Sequence, residues 1–132
     1  MLCSILHRDA KTNKEKRIMK ENRYVVKKDE EKAVEKLDGV FLTTLTYNDE
    51  TMLCHFLLKK GAVVPLHEHP AVQNGYVMSG KVRFKKSDGS TFDAPPGTAY
   101  LFDSNEPHGA EALEESELFD YFTPSRPEYM PD

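Results

Sequence analysis

Three histidines and one glutamine are the residues of this sequence best suited to bind a metal ion. His67 and His69 are separated by one residue in the segment "GAVVPLHEHPAVQNGYVMSG", and Gln73 follows four residues later. On a β-strand, residues two apart project from the same face, so both imidazoles can converge on one ion. Gln73 lies beyond Pro70, which interrupts the strand, and can supply an amide oxygen from the next segment. Two surface histidines on a turn would show the same spacing, so both interpretations stay open here.

A fourth ligand has to come from elsewhere in the chain, and His108 is the best candidate. It follows Pro107 at the head of a predicted strand in "NEPHGAEAL". Three neutral imidazoles and one neutral amide would leave a divalent ion its full charge, which favours anionic ligands and disfavours ferric iron and oxygen activation. Gly75, two residues after Gln73 on the same strand face, either leaves room beside the ion or is a glycine tolerated in a bulge. The sequence does not choose among nickel, zinc, iron, manganese and copper.

Short alternating segments separated by turns must position these residues. From Val40 onward eight segments read as strands: "VFLTTLTY", "TMLCHFLL", "QNGYVMSG", "KVRFKK", "STFDA", "TAYLF", "HGAEAL" and "SELFDYF". Six to eight short strands with turns about every 8–12 residues predict an all-β antiparallel sandwich or barrel. The preceding segment "DEEKAVEKL", residues 29–37, fits either one short helical turn or a lead-in strand.

Composition bounds the class of protein. A chain of 132 residues predicts one domain, which we divide into a polar arm at 1–28 and a β-barrel domain at 29–132. A charged fraction of 30% and a net charge of −4 predict a soluble protein and no nucleic-acid partner. No apolar run approaches the roughly 18 residues of a membrane span. Two cysteines suit a reducing, cytoplasmic compartment better than a disulfide framework.

The spacing of glycines and ligand candidates resembles that of the cupin superfamily. The first motif is matched by Gly61, five residues, His67-x-His69, three residues, Gln73, six residues and Gly80. The second is matched by Gly89, five residues and Pro95-x-Gly97. The chain departs from the usual pattern three residues after Gly97, where it has Tyr100, which is not a ligand. Residues 35–130 resemble a subgroup whose histidine comes later, in a Pro-His-Gly step, and which includes the small single-domain pectin-degradation cupins that linearise unsaturated uronates.

This resemblance implies a double-stranded β-helix, or jelly-roll barrel, with His67, His69, Gln73 and His108 as ligands of one divalent metal ion. It also implies a substrate pocket lined by three residues: Asp120 and Arg126 would be catalytic, and Phe122 and Arg126 would bind substrate. The residues themselves agree, because in "LFDYF" Asp120 shares a strand face with the apolar Leu118 and Phe122. A carboxylate pointing into a barrel is costly unless it is paired or used. The alternative is an aspartate neutralised by Arg126 or by a ligand histidine.

The predicted function is a metal-binding cupin that acts on a small anionic sugar acid. Ring opening of an unsaturated uronate would use Asp120 to move a proton and Arg126 to grip the substrate carboxylate. A metal-dependent dioxygenase and a non-catalytic metabolite sensor remain alternatives. A homodimer is expected, because small open barrels tend to cover exposed strand edges with a partner.

Overall fold

Ten β-strands make up about half of the residues that the structure describes. The structure, a computed structural model, describes residues 23–131. The strands in this range are β1 Val34–Leu37, β2 Val40–Tyr47, β3 Met52–Leu58, β4 Val63–His67, β5 Val72–Ser79, β6 Val82–Lys86, β7 Thr91–Ala94, β8 Ala99–Phe102, β9 His108–Ala112 and β10 Ser116–Thr123. Two 3₁₀-helices, Lys28–Glu30 and Pro127–Tyr129, flank the strands.

The strands form two antiparallel sheets whose inner faces pack against each other. The larger sheet has the order β1-β2-β3-β10-β5-β8, and the smaller has the order β4-β9-β6-β7. The ring of Phe84, on β6 of the smaller sheet, lies 4.4 Å from that of Tyr100, on β8 of the larger sheet. The predicted all-β antiparallel architecture is therefore confirmed.

Local sequence accounts for most of these elements. Each of the eight segments with strand-like alternation contains one strand, namely β2, β3 and β5 to β10. The ambiguous segment 29–37 contains both predicted elements, since a 3₁₀ turn is followed by β1. The remaining strand, β4, includes Pro65 and lies at a sheet edge, where a residue without an N–H is tolerated.

Strand β10 brings polar chemistry into the core. It lies between β3 and β5 in the larger sheet. Its inward-facing side chains, Leu118, Asp120 and Phe122, are all less than 5% exposed. Burial of the two apolar side chains contributes roughly 1.5–3 kcal/mol each, and it carries the carboxylate of Asp120 into the barrel interior.

The start of the described chain runs alongside the barrel. The backbone of Arg23 forms a bridge with Tyr47, at the end of β2. Residues 1–22, which make up most of the predicted polar arm at 1–28, lie outside the described residues. No helix among residues 23–131 is long and apolar enough to cross a membrane.

Candidate metal centre

Three imidazoles meet inside one end of the barrel. His67 ends β4 and pairs directly with His108, which begins β9. Ring centroids are 5.4 Å apart for His67 and His69, 4.5 Å for His67 and His108, and 4.9 Å for His69 and His108. One ligating nitrogen from each ring lies within 4.8 Å of the others, so the three residues could hold a metal ion. Antiparallel pairing of two distant segments, rather than local spacing, brings in His108.

His69 reaches the cluster by a different route from the predicted one. It lies beyond the end of β4, in the loop at residues 68–71. The expectation that His67 and His69 share a strand face is therefore wrong, because β4 ends at His67, before Pro70. The loop is tied down by a hydrogen bond from the Asn105 N–H to the His69 carbonyl oxygen (2.8 Å). This bond connects the ligand loop to the turn that precedes His108.

The main chain sets the tautomer of all three histidines. In each ring Nδ1 lies close to a carbonyl oxygen two residues away in the chain. These distances are 2.9 Å for His67 to Pro65, 2.8 Å for His69 to Ala71 and 2.8 Å for His108 to Glu106. A carbonyl oxygen only accepts hydrogen bonds, so Nδ1 carries the proton and donates it. Nε2 is thereby left with its lone pair, and metal-binding histidines are commonly oriented in this way.

Gln73 points its amide oxygen at the same place. Its Oε1 atom lies 3.1 Å from Nε2 of His69 and 3.0 Å from Nε2 of His108. With Nδ1 protonated, both Nε2 atoms carry lone pairs, as the amide oxygen does. Three electron-pair donors at such distances repel one another unless a cation lies among them. The donor set of three imidazoles and one amide therefore fits a divalent transition-metal ion.

Burial keeps two of the imidazoles neutral and ready to bind metal. It lowers the pKa of His108 to about 4, because the charged ring would lose hydration and would also face His67 and His69. It lowers the pKa of His69 as well, with the positive charge of Arg126 as the next cause. The ring of His108 is also stacked on Phe102, with centroids 4.3 Å apart. A neutral, fixed imidazole binds a cation without first losing a proton.

Asp120 lies next to this cluster and is held by two hydrogen-bond donors. The Tyr100 hydroxyl donates to its Oδ1 atom (2.6 Å), and the side-chain amide of Gln73 donates to the carboxylate as well. Burial raises the pKa of Asp120 to about 6, against the opposing effects of these two donors and of Arg126. Among residues 23–131 no ion pair joins Asp120 to Arg126 or to a histidine. Tyr100 and Gln73 are its hydrogen-bond partners.

The missing side chain at Gly75 leaves room for the contact between Tyr100 and Asp120, and it does not leave open space beside an ion. A Cβ atom at this position would lie 2.1 Å from Cζ of Tyr100 and 2.3 Å from Oδ1 of Asp120. The expectation of open space beside the ion is therefore corrected. Sequence reasoning passed over Tyr100 because it is not a ligand, although a tyrosine at a position where many cupins have a ligand was a usable signal.

His67, Gln73, His108 and Asp120 line one cavity of about 370 Å³, which is within the size range of small-molecule sites. Phe122 and Arg126 also line it. The guanidinium carbon of Arg126 lies 5.2 Å from the centroid of the Phe122 ring and 4.1 Å from that of Tyr129. All the predicted site residues except His69 thus line one cavity, and the ring of His69 contacts that of Phe122, with centroids 5.7 Å apart.

The double role of Gln73 predicts the outcome of its replacement by glutamate. In Gln73→Glu the new carboxylate could still face the imidazoles, but it could not donate to Asp120, and two carboxylates would face each other. We expect metal content to be retained and the free energy of unfolding to fall by about 1.5–3 kcal/mol, the usual contribution of one hydrogen bond to a charged group. Elemental analysis and denaturant titration of the metal-free protein measure the two quantities.

Asn48→Asp is the matched control for this prediction. It makes the same amide-to-carboxylate change in the turn between β2 and β3, where a carboxylate oxygen can still accept the hydrogen bonds from the Glu50 and Thr51 N–H groups. Equal losses of stability in the two variants would contradict the role of Gln73, since a general effect of added negative charge would then explain both.

Comparison with known proteins agrees with the fold. The family model described as "Cupin domain" matches residues 54–119. The pectin degradation protein KdgF of Dickeya dadantii (strain 3937) is 33% identical over 95 residues, which are 70% of this chain and 86% of that protein. The structure of KdgF from Halomonas sp. is 27% identical with a TM-score of 0.75, covering 80% of this chain and 98% of that one.

A more distant structure supports the architecture alone. The RmlC-like cupin from Shewanella frigidimarina NCIMB 400 is 23% identical, has a TM-score of 0.77, and is matched over 82% of this chain and 96% of that chain. With the family match, the KdgF relative and the two-sheet barrel taken together, this chain belongs to the cupin family.

Proposed function

We propose that this cupin is a metal-dependent enzyme that opens the ring of a small unsaturated sugar acid. The observation that carries the proposal is the contact between Gln73, which faces the three imidazoles, and Asp120, which lies in the cavity wall. A proton-transfer group thus lies next to a candidate metal centre. The 33% identity to a pectin degradation protein points to sugar acids as the substrate class.

Four side chains would hold the metal, namely His67, His69, His108 and Gln73. When bound, a divalent ion supplies Lewis-acid polarisation of a substrate oxygen. The protein side chains then have to bind the substrate, orient it and move protons. Phe122 forms part of the apolar wall, and Arg126 presents a guanidinium group to the substrate carboxylate.

The proposed reaction is an isomerisation that requires no oxidant. The anomeric hydroxyl loses its proton, the bond between the anomeric carbon and the ring oxygen breaks, and the former ring oxygen takes up a proton, so that an aldehyde and an enol result. The enol then gains a proton on carbon, loses one from oxygen and becomes a ketone, so the atoms balance. Asp120 is suited to accept and return these protons, because its raised pKa of about 6 lies near neutral pH.

Two measurements test the proposal. Elemental analysis of protein purified without a metal-chelating tag should find about one divalent ion per chain, as expected for a single site of this kind. An unsaturated galacturonate should then lose the ultraviolet absorbance of its conjugated double bond when mixed with the metal-loaded protein.

Oxygen uptake with a thiol or phenolic substrate would identify a dioxygenase instead. Binding of the uronate without turnover would identify a sensor. Either result would overturn the proposal.

The outer face of the larger sheet supports a homodimer. Tyr76 and Met78 on β5, Leu101 on β8 and Tyr121 on β10 point outward from neighbouring strands, and each is at least 44% exposed. Adjacent exposed apolar side chains commonly mark a protein–protein interface. We expect light scattering after gel filtration to give twice the chain mass for the wild type.

A charge placed in this face should separate the two subunits. Met78→Glu, at a side chain that is 50% exposed, is expected to elute as a monomer because it would bury a carboxylate in the interface. Leu66→Glu is the control, since Leu66 is 49% exposed but lies on β4 of the smaller sheet. A dimer that persists in Met78→Glu and dissociates in Leu66→Glu would place the interface elsewhere.

A further inference from the structure

We propose that Lys36 completes an anion-binding subsite at the cavity, in which it and Arg126 grip the same carboxylate of the ligand. Lys36 lies on β1, and both cationic side chains line the cavity. The proposal rests on the proposed function in taking a sugar acid as the ligand. It adds a specificity residue that lies outside the metal ligands and the Asp120 segment.

Both cations lie over one aromatic ring. The Nζ atom of Lys36 is 5.6 Å from the centroid of the Tyr129 ring, and the guanidinium carbon of Arg126 is 4.1 Å from it. Cation–π attraction holds each of them to the ring. The flexible four-carbon stem of Lys36 would let its ammonium group move to a carboxylate bound at Arg126, and that carboxylate offers a second oxygen.

Tyr129 is a fixed platform and not a mobile tail residue. Its ring makes edge-on contacts with Phe56 and Phe122, with centroids 6.0 and 5.6 Å away. Its carbonyl oxygen accepts a hydrogen bond from the hydroxyl of Thr44 on β2. Packing and hydrogen bonding thus hold the ring that positions both cations.

The charged groups around the Tyr129 ring leave a net positive charge that an anion would neutralise. Glu128 accepts hydrogen bonds from Nε and Nη2 of Arg126 (3.3 and 3.0 Å), through a single oxygen atom, and is itself largely exposed. Within residues 23–131 no carboxylate forms an ion pair with Lys36. The carboxylate of Asp120, deeper in the same cavity, is already bound by Tyr100 and Gln73. Glu128 therefore balances one of the two positive charges at the ring, and a bound anion would balance the other.

The positions of Lys36 and Arg126 restrict the expected ligands to molecules that carry a carboxylate at one end. The carboxylate end of the ligand would lie between Lys36 and Arg126, and its hydroxyl-bearing end would face Asp120 and the histidines. A neutral sugar of the same size lacks the group that the subsite binds. We therefore expect selection of uronates over the corresponding hexoses.

Kinetics of Lys36 variants with an unsaturated galacturonate test the subsite. Lys36→Met is expected to raise KM about 10-fold and to leave kcat within about 2-fold, as for the loss of one charge-assisted hydrogen bond used for binding and not for chemistry. Lys36→Arg should restore most of the affinity. Lys32→Met is the matched control, because Lys32 is exposed in the same segment and does not line the cavity. An unchanged KM in Lys36→Met would overturn the proposal.

Binding measurements keep this test separate from the proposed reaction. Calorimetry with D-galacturonate and with D-galactose should show binding of the acid alone, weakened in Lys36→Met. Selective binding of the acid, weakened in Lys36→Met, without turnover of the unsaturated substrate would contradict the proposed reaction and support the subsite. Turnover by the wild type with unchanged galacturonate binding in Lys36→Met would support the reaction and contradict the subsite.

A double-mutant cycle with Arg126→Met tests whether one carboxylate is shared. If both cations grip the same group, the loss of binding in Lys36→Met/Arg126→Met should differ from the summed losses of the single variants by at least about 2-fold in Kd. Strictly additive losses would show that the two residues act on separate groups and would overturn the shared subsite.

Discussion

Replacing His108 with alanine is expected to reduce bound metal from about one ion per chain to less than about a tenth, because one of three imidazole ligands is lost. His69→Ala should do the same. Neither residue can be replaced by a neighbour, since no other His, Cys, Asp or Glu among residues 23–131 joins the cluster. Elemental analysis of untagged protein measures the loss, and a thermal shift on adding metal should be present in the wild type and absent from both variants.

His55→Gln is the control for these two variants. His55 is as buried as His108, but it lies on β3 and its Nε2 atom contacts Glu117, away from the cavity. It should keep the metal content of the wild type even if its melting temperature falls. Full metal content in His108→Ala would show that the imidazole cluster is not the metal site, and the proposed chemistry would lose its basis.

Most of the strands and the grouping of the histidines could be predicted from the sequence, because the patterns that indicate them are local. Period-two alternation located the segments of β2, β3 and β5 to β10. His108 was recognised as a partner of His67 and His69 because Pro107 marks the head of a strand. The local argument failed at His69, where it assumed a strand that had already ended at His67.

The environment of Asp120 could not be predicted, because it depends on register between strands that are distant in sequence. Gly75 on β5 pairs with Tyr100 of β8 on one side and with Asp120 of β10 on the other. With no side chain at Gly75, the phenol and the carboxylate meet across the middle strand. A shift of one residue in either pairing would turn a side chain to the opposite sheet face, and nothing local in the sequence fixes that register. The same applies to Lys36, which reaches the cavity only because β1 pairs with β2.

Asp120→Asn is expected to lower kcat by about 10²- to 10⁴-fold, the usual contribution of a positioned acid or base. The change keeps the shape of the side chain. The amide oxygen can accept from Gln73 while the amide nitrogen donates to Tyr100, whose hydroxyl can reverse its role. Packing and metal content should therefore be conserved, and only the capacity to exchange a proton is lost. Steady-state kinetics with an unsaturated galacturonate, on protein with a measured metal content, separates these effects.

The pH profile adds a readout that a merely structural role would not change. If the carboxylate must be ionised to accept the first proton, kcat of the wild type should fall as the pH drops through about 6, the raised pKa of Asp120. The residual activity of Asp120→Asn should lack this acidic limb. Asp93→Asn, at an exposed carboxylate paired with Arg83, should keep both the rate and the profile of the wild type. Unchanged turnover in Asp120→Asn would show that the buried carboxylate is structural, held by Tyr100 and Gln73, and that the proton moves through another group.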